Sequence, residues 1–192
     1  PDASGTVRSM ALLFMLPDGE EWRTGMNNIP VFAVNTPAAF RDLLVASKAD
    51  PATGKPDPIK MKAFLEGHPA SAHALKIIGS HPVSSGFDNS TYNGLNAFRV
   101  VDAEGDSRWV RWSLVPTATF VEASASPTGQ QDKNYLFDAL IHRINQASGD
   151  RLQWHLIVTL GQPGDPTNDA TIAWPDNREQ VDVGTLSIDH IE

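Results

Sequence analysis

Six histidines could carry acid–base or metal chemistry, and their spacing argues against most of it. His68, His73, His81, His142, His155 and His190 are scattered, with no His-Glu-x-x-His pair and no close His cluster of the kind that holds zinc. His155 alternates with Leu156 along an apolar stretch and His142 falls on an amphipathic one, so both read as surface or hydrogen-bonded structural histidines. There is no cysteine, which removes thiol nucleophiles, zinc–thiolate sites and iron–sulfur clusters within these residues. The segment Ala52-Thr53-Gly54-Lys55-Pro56 resembles a phosphate loop only superficially. It lacks the upstream glycine and ends in proline where Ser or Thr would bind magnesium. No Gly-x-Ser-x-Gly turn is present to anchor a hydrolase triad.

Two tyrosines remain, Tyr92 and Tyr135. An iron-ligating tyrosinate needs a buried helix and a cation that keeps it ionised. Tyr135 opens a predicted helix beside Lys133, and Tyr92 stands in a predicted strand with no basic neighbour in sequence. Both read as structural.

The elements that would position any site follow from the hydrophobic periods. Strands are predicted near 10–16, 21–34, 91–101, 108–115, 152–160 and 180–189. The second is interrupted at Asn27-Asn28, which by themselves read as a polar turn or bulge. Helices are predicted over about 37–46, 58–66, 69–79 and 134–146. Thr36-Pro37, Asp57-Pro58 and His68-Pro69 mark the first three starts. The apolar alternation slips by one at Gly184, which predicts a bulge. Strands, a helical insert, strands, one helix and strands again do not make a βαβ rhythm. The order predicts an α+β fold with an antiparallel barrel-like sheet and helices outside it.

The chain has 192 residues, 41% hydrophobic and 20% charged, which suits a single domain over 1–192. A formal net charge of -8 leaves no surface for neutralising phosphates, so nucleic acids and anionic membranes are poor partners. The longest apolar run, Met10–Leu16, is strand-sized and far below the roughly 20 residues of a membrane span. The chain opens in a loop-like stretch, Pro1 to Gly5, which suggests a native start further upstream.

Eight segments in order resemble the catalase family. They are MALLFMLPDG (10–19), MNNIPVFAVNTPAAF (26–40), DPATGKPDP (50–58), FLEGHP (64–69), TYNGLNAFRVVDAEG (91–105), VRWSLVP (110–116), GDPTNDATIAWP (164–175) and VDVGTLSI (181–188). The resemblance is nearest to the small bacterial catalase-related haem peroxidases and runs nearly end to end. It implies a catalase-like antiparallel barrel of eight strands carrying a helical insertion, about six of them within this chain.

The resemblance further implies a b-type haem, hydrogen peroxide as substrate and a small organic electron donor, with an oxoferryl species formed in turnover. By position, Asn27 matches the asparagine that orients peroxide, and its amide can donate where a carboxylate could not. Phe32 and Phe40 match aromatics that line the haem and its access channel. The expectation is that Asn27, Phe32 and Phe40 surround one cavity. The family's distal histidine and proximal tyrosine fall outside the chain, before Pro1 and after Glu192. Ala33 stands where large catalases have a second phenylalanine, and Ala170 replaces a common proline. Two small residues would open the pocket to bulkier donors. A bacterial protein of cytoplasm or periplasm is implied, and a homo-oligomer is compatible. Two other readings stay open: a catalase-fold binding or scaffold protein without haem, and a relative that processes organic hydroperoxides.

Overall fold

The computed structural model of the chain describes residues 2, 6–123, 133–146 and 152–191. The described residues form seven strands and four helices, in chain order β1 Ser9–Met15, β2 Glu21–Asn27, α1 Pro37–Ala46, α2 Pro58–Gly67, α3 Pro69–Ser80, β3 Tyr92–Asn93, β4 Phe98–Val101, β5 Ser107–Pro116, α4 Tyr135–Gln146, β6 Leu152–Leu160 and β7 Gln180–Ile188. Every strand pair is antiparallel, in the order β1-β2-β3-β5-β6-β7. β4 pairs the same edge of β5 as β3 does, opposite residues 107–110 rather than 113–114. Seven strands therefore fill six positions of a curled sheet, half of a barrel.

The inner face of that curl is the main core. Met26, Tyr92, Val110, Trp112, Leu114, Leu152 and Trp154 are buried there, and Leu140 and Ile144 of α4 pack against them. Removing a large apolar side chain from such a position, Leu114 for instance, costs about 2–5 kcal/mol. A second core joins α1 and α2 through Val34, Ala39, Ala46 and Phe64. The helix starts follow their capping chemistry: Thr36 accepts from the Ala39 amide and Asp57 from the Ile59 amide, each ahead of a proline. Among the described residues no helix is long and apolar enough to cross a membrane.

Two predicted strands differ from those observed. The strand expected over 21–34 ends at Asn27, and Ile29–Val34 leaves the sheet. Pro30 has no N–H for a ladder. The apolar residues Ile29, Val31 and Val34 are buried all the same, so their spacing mimics a strand while the packing is that of a loop. The strand expected over 91–101 is broken into β3 and β4. At the break Gly94 lies so close to Trp112 that an added Cβ would stand 2.9 Å from the indole nitrogen. Leu95 takes a left-handed backbone, φ 59°. The slip expected at Gly184 is present: Leu156 pairs with Gly184 and Ile157 with Asp182, which leaves Val183 as the extra residue.

Candidate functional site

The stretch that leaves β2 after Asn27 forms one wall of a cavity of about 570 Å³. Phe32 on this stretch and Phe40 on α1 line it together, with ring centroids 5.9 Å apart and planes at 35°. Phe40 is 41% exposed, so an aromatic face is presented rather than sealed into the core. The rest of the lining comes from the loop between β6 and β7, through Thr167, Asn168, Asp169 and Ala170, and from Asn96 and Ala97 after the β3 break. The walls are tied where the Phe32 amide donates to the Ala170 carbonyl at 2.8 Å. A second tie runs from Asn35 Nδ2 to Asp169 Oδ2 at 3.2 Å.

The β6–β7 loop is itself braced by charge. Arg178 donates through Nε and Nη2 to the two oxygens of Asp165, both at 2.8 Å. Hydrogen bonding to Arg178 holds the Asp165 carboxyl down at about 2. Arg111 of β5 reaches under the loop and donates to the carbonyls of Ile172, Pro166 and Asp169. Its guanidinium lies 4.8 Å from the Trp174 ring centroid. The Trp174 indole N–H donates to the Pro166 carbonyl at 2.8 Å. A long loop built this way is a fixed wall, not slack chain.

Asn27 does not line this cavity, contrary to the expectation of a single shared pocket. It closes β2, opposite Ser9 of β1 and Asn93 of β3. The Ser9 hydroxyl donates to Asn27 Oδ1 at 2.6 Å. That bond fixes the amide's orientation and leaves Nδ2 as the donor on the side away from Ser9. The reason for the separation is the turn after β2: buried Asn28 accepts from the Arg8 amide through Oδ1 at 2.8 Å, and the chain then swings away from the sheet. Ala33 also differs from expectation. It packs against the α1–α2 core, and only Ala170 of the two small residues borders the cavity.

Tyr92 is buried, and its hydroxyl donates to the Phe87 carbonyl at 2.8 Å. Burial raises its phenol to about 12, despite Arg8, a cation close in space that the local sequence does not reveal. Burial and the bond to Phe87 hold this phenol as a neutral donor within the main core. Tyr135 begins α4, whose residues Leu140 and Ile144 pack on the inner face of the sheet. The described residues contain no group of three or more His, Cys, Asp or Glu able to hold a metal ion. The cavity fits a flat, apolar ligand in its aromatic lining and in its volume, which lies within the usual range for ligand pockets.

An antiparallel half-barrel with a helical insert and an aromatic cavity on the outgoing β2 segment is a catalase architecture. The chain belongs to the catalase family: a family model described as Catalase matches residues 1–191. The chain is 37% identical over 193 residues to a catalase-related peroxidase of Synechococcus elongatus, covering 98% of this chain and 55% of that protein. A catalase-related peroxidase of Mycolicibacterium paratuberculosis is 32% identical, with 97% of this chain and 58% of that protein covered. The chain spans about half the length of the curated relatives it matches. Among solved structures, a bacterial catalase superposes with a TM-score of 0.80 at 20% identity, over 95% of this chain and 37% of that one.

Polar cavity residues escaped the sequence reading. Asn35, Asn96, Thr167, Asn168 and Asp169 come from three segments remote in sequence. The one available signal was the length of the Pro-, Asp- and Asn-rich loop after β6, since long loops in compact domains tend to be functional.

Proposed function

We propose that the whole protein is a haem-dependent peroxidase that reduces hydrogen peroxide with a small organic donor, and that residues 1–192 supply part of its barrel and one wall of its haem pocket. The observation that carries this reading is the cavity faced by Phe32 and Phe40, the two positions that the family resemblance assigns to the haem and its channel. Haem, when bound, supplies the redox chemistry, and the protein supplies binding, orientation and proton handling. Phe32 and Phe40 would hold the porphyrin by stacking and apolar contact. Asn27 would orient peroxide: with Oδ1 committed to the Ser9 hydroxyl, its Nδ2 is the atom that donates. The axial ligand and the proton-transferring histidine belong to parts of the protein beyond these residues.

The test is the absorption spectrum of the whole protein with peroxide consumption followed in the presence and absence of a phenolic donor. A Soret band and donor-dependent consumption are expected. A protein with no Soret band after haemin addition would support the binding or scaffold reading instead, and preferential turnover of organic hydroperoxides the third reading.

A further inference from the structure

Two of the chain's five tryptophans touch each other and join its interior to its surface. Trp112 of β5 is 7% exposed and packed in the main core, whereas Trp22 of β2 is 43% exposed. Their ring centroids lie 5.3 Å apart with planes at 77°, so the edge of one indole meets the face of the other. Trp112 also lies against Gly94, whose carbonyl accepts from the amide of Asn96, a residue of the cavity lining. The pair thus runs from the back of the cavity lining to a ring in contact with water.

The surroundings of these rings decide where a positive charge can reside. Phe98 stacks on Trp112 with centroids 4.1 Å apart, and an aromatic face favours a cation. Trp174, on the loop that also lines the cavity, has the Arg111 guanidinium 4.8 Å from its centroid, which opposes one. An electron is therefore lost more readily from Trp112 than from Trp174. The Trp112 Nε1–H has only a long bond to the Thr24 hydroxyl, at 3.4 Å, and a neutral hydroxyl does not take its proton. A charged indole left in the core is costly. Trp22, in ring contact and half in water, offers the charge a way out.

We propose that Trp112 and Trp22 form a relay that carries single oxidising equivalents from the cavity to the surface, where phenolic donors too large for the cavity are oxidised. An oxidant in the cavity takes one electron from Trp112. Trp22 returns that electron and releases its indole proton to water. A phenol at the surface then gives Trp22 one electron and one proton, which restores the indole and leaves a phenoxyl radical. The oxidant is haem after reaction with peroxide, so the relay rests on the peroxidase reading.

The test is to expose the haem-loaded whole protein to hydrogen peroxide without donor. Oxidised residues are mapped by peptide mass spectrometry and organic radicals are read by electron paramagnetic resonance. Wild type should show a tryptophanyl radical and oxidised Trp22, and a phenol tethered to dextran, which the cavity cannot admit, should suppress both. Trp112→Phe should keep the Soret band and lose the oxidation of Trp22. Trp22→Phe, a change at a half-exposed ring, should keep the Soret band, shift oxidation to Trp112 and lose the protection by tethered phenol; it decides alone if W112F fails to fold. Oxidation of Trp22 that persists in W112F, protection that persists in W22F, or a wild type with a Soret band and no oxidised Trp22 would overturn the relay and leave the peroxidase reading standing. Absence of a Soret band from wild type would overturn both.

Discussion

The amide of Phe32 donates to the carbonyl of Ala170 at 2.8 Å, joining the segment that leaves β2 to the loop between β6 and β7. Both partners line the cavity, so the bond ties together two of the segments that form it. Aromatic Phe32 is thereby held beside a loop that brings Thr167, Asn168 and Asp169 to the same cavity. Neither Phe32 nor Ala170 is part of a regular element, yet the segments that carry them leave strands β2 and β6.

The β6–β7 loop depends on the Asp165–Arg178 pair, and this gives a pH signature. The Asp165 carboxyl is held at about 2 in the folded chain, below its ordinary value of 3.8. A depressed carboxylate contributes stability that is complete above the unfolded value and is lost as pH falls through the folded one. Asp165→Asn should lower the Tm at pH 7, and the gap to wild type should close between about pH 4 and pH 2. Thermal melts across that range check it. A gap independent of pH would assign the effect to shape rather than charge.

Gly94 makes room for Trp112. A Cβ there would stand 2.9 Å from Nε1 and 3.2 Å from Cδ1 of an indole that is 7% exposed and packed in the main core. Gly94→Ala should destabilise the fold by about 1–3 kcal/mol through overpacking. Denaturant titration measures this, and a neutral result would show that the indole can shift.

Replacing Asn27 in the whole protein should separate orientation from cofactor binding. Asn27→Ala removes the Nδ2 donor and should slow peroxide reduction by about tenfold or more, the equivalent of one charge-assisted or well-placed hydrogen bond. The Soret band should be retained. Loss of haem in this variant would contradict the role given to Asn27.

Much of this architecture was legible in the sequence, for physical reasons that differ by region. β5 alternates buried and less buried residues, and Leu152, Trp154, Leu156, Val158 and Leu160 of β6 all join the main core, so a period of two marked both strands directly. Thr36-Pro37 and Asp57-Pro58 cap helices through local bonds that sequence alone encodes. Ile29–Val34 misled because alternate apolar residues were buried by a loop and helices instead of by a sheet, while Pro30 quietly excluded the ladder. The cavity could be read only in part. Phe32 and Phe40 are eight positions apart and meet through one helix start, so their pairing follows from local geometry. Asp169 and Asn96 reach the same space by long-range packing, which leaves no local pattern. The same is true of Arg8, whose approach to Tyr92 depends on the curl of the sheet.

Edge exposure yields a further expectation. Among the described residues, β1 and β7 each pair on one side only. They present Leu13, Met15, Val181 and Val183 to solvent, with Met15 78% exposed. Open strands with apolar residues favour pairing with another chain. These 192 residues expressed alone should form aggregates or ill-defined oligomers, whereas a chain extended at both ends should elute as a single defined species. Light scattering after size exclusion distinguishes the two, and a stable monomer of the short chain would refute the expectation.

The central claim, that the whole protein uses haem to reduce peroxide, is tested most directly by one titration: haemin added to the purified whole protein, read at the Soret band, for wild type and Phe40→Ala. Wild type should take up one haem per chain with a sharp band and then consume hydrogen peroxide. F40A should bind haem more weakly, because the stacking face is gone. No band from wild type, or the same affinity in both proteins, would contradict a haem pocket walled by Phe32 and Phe40.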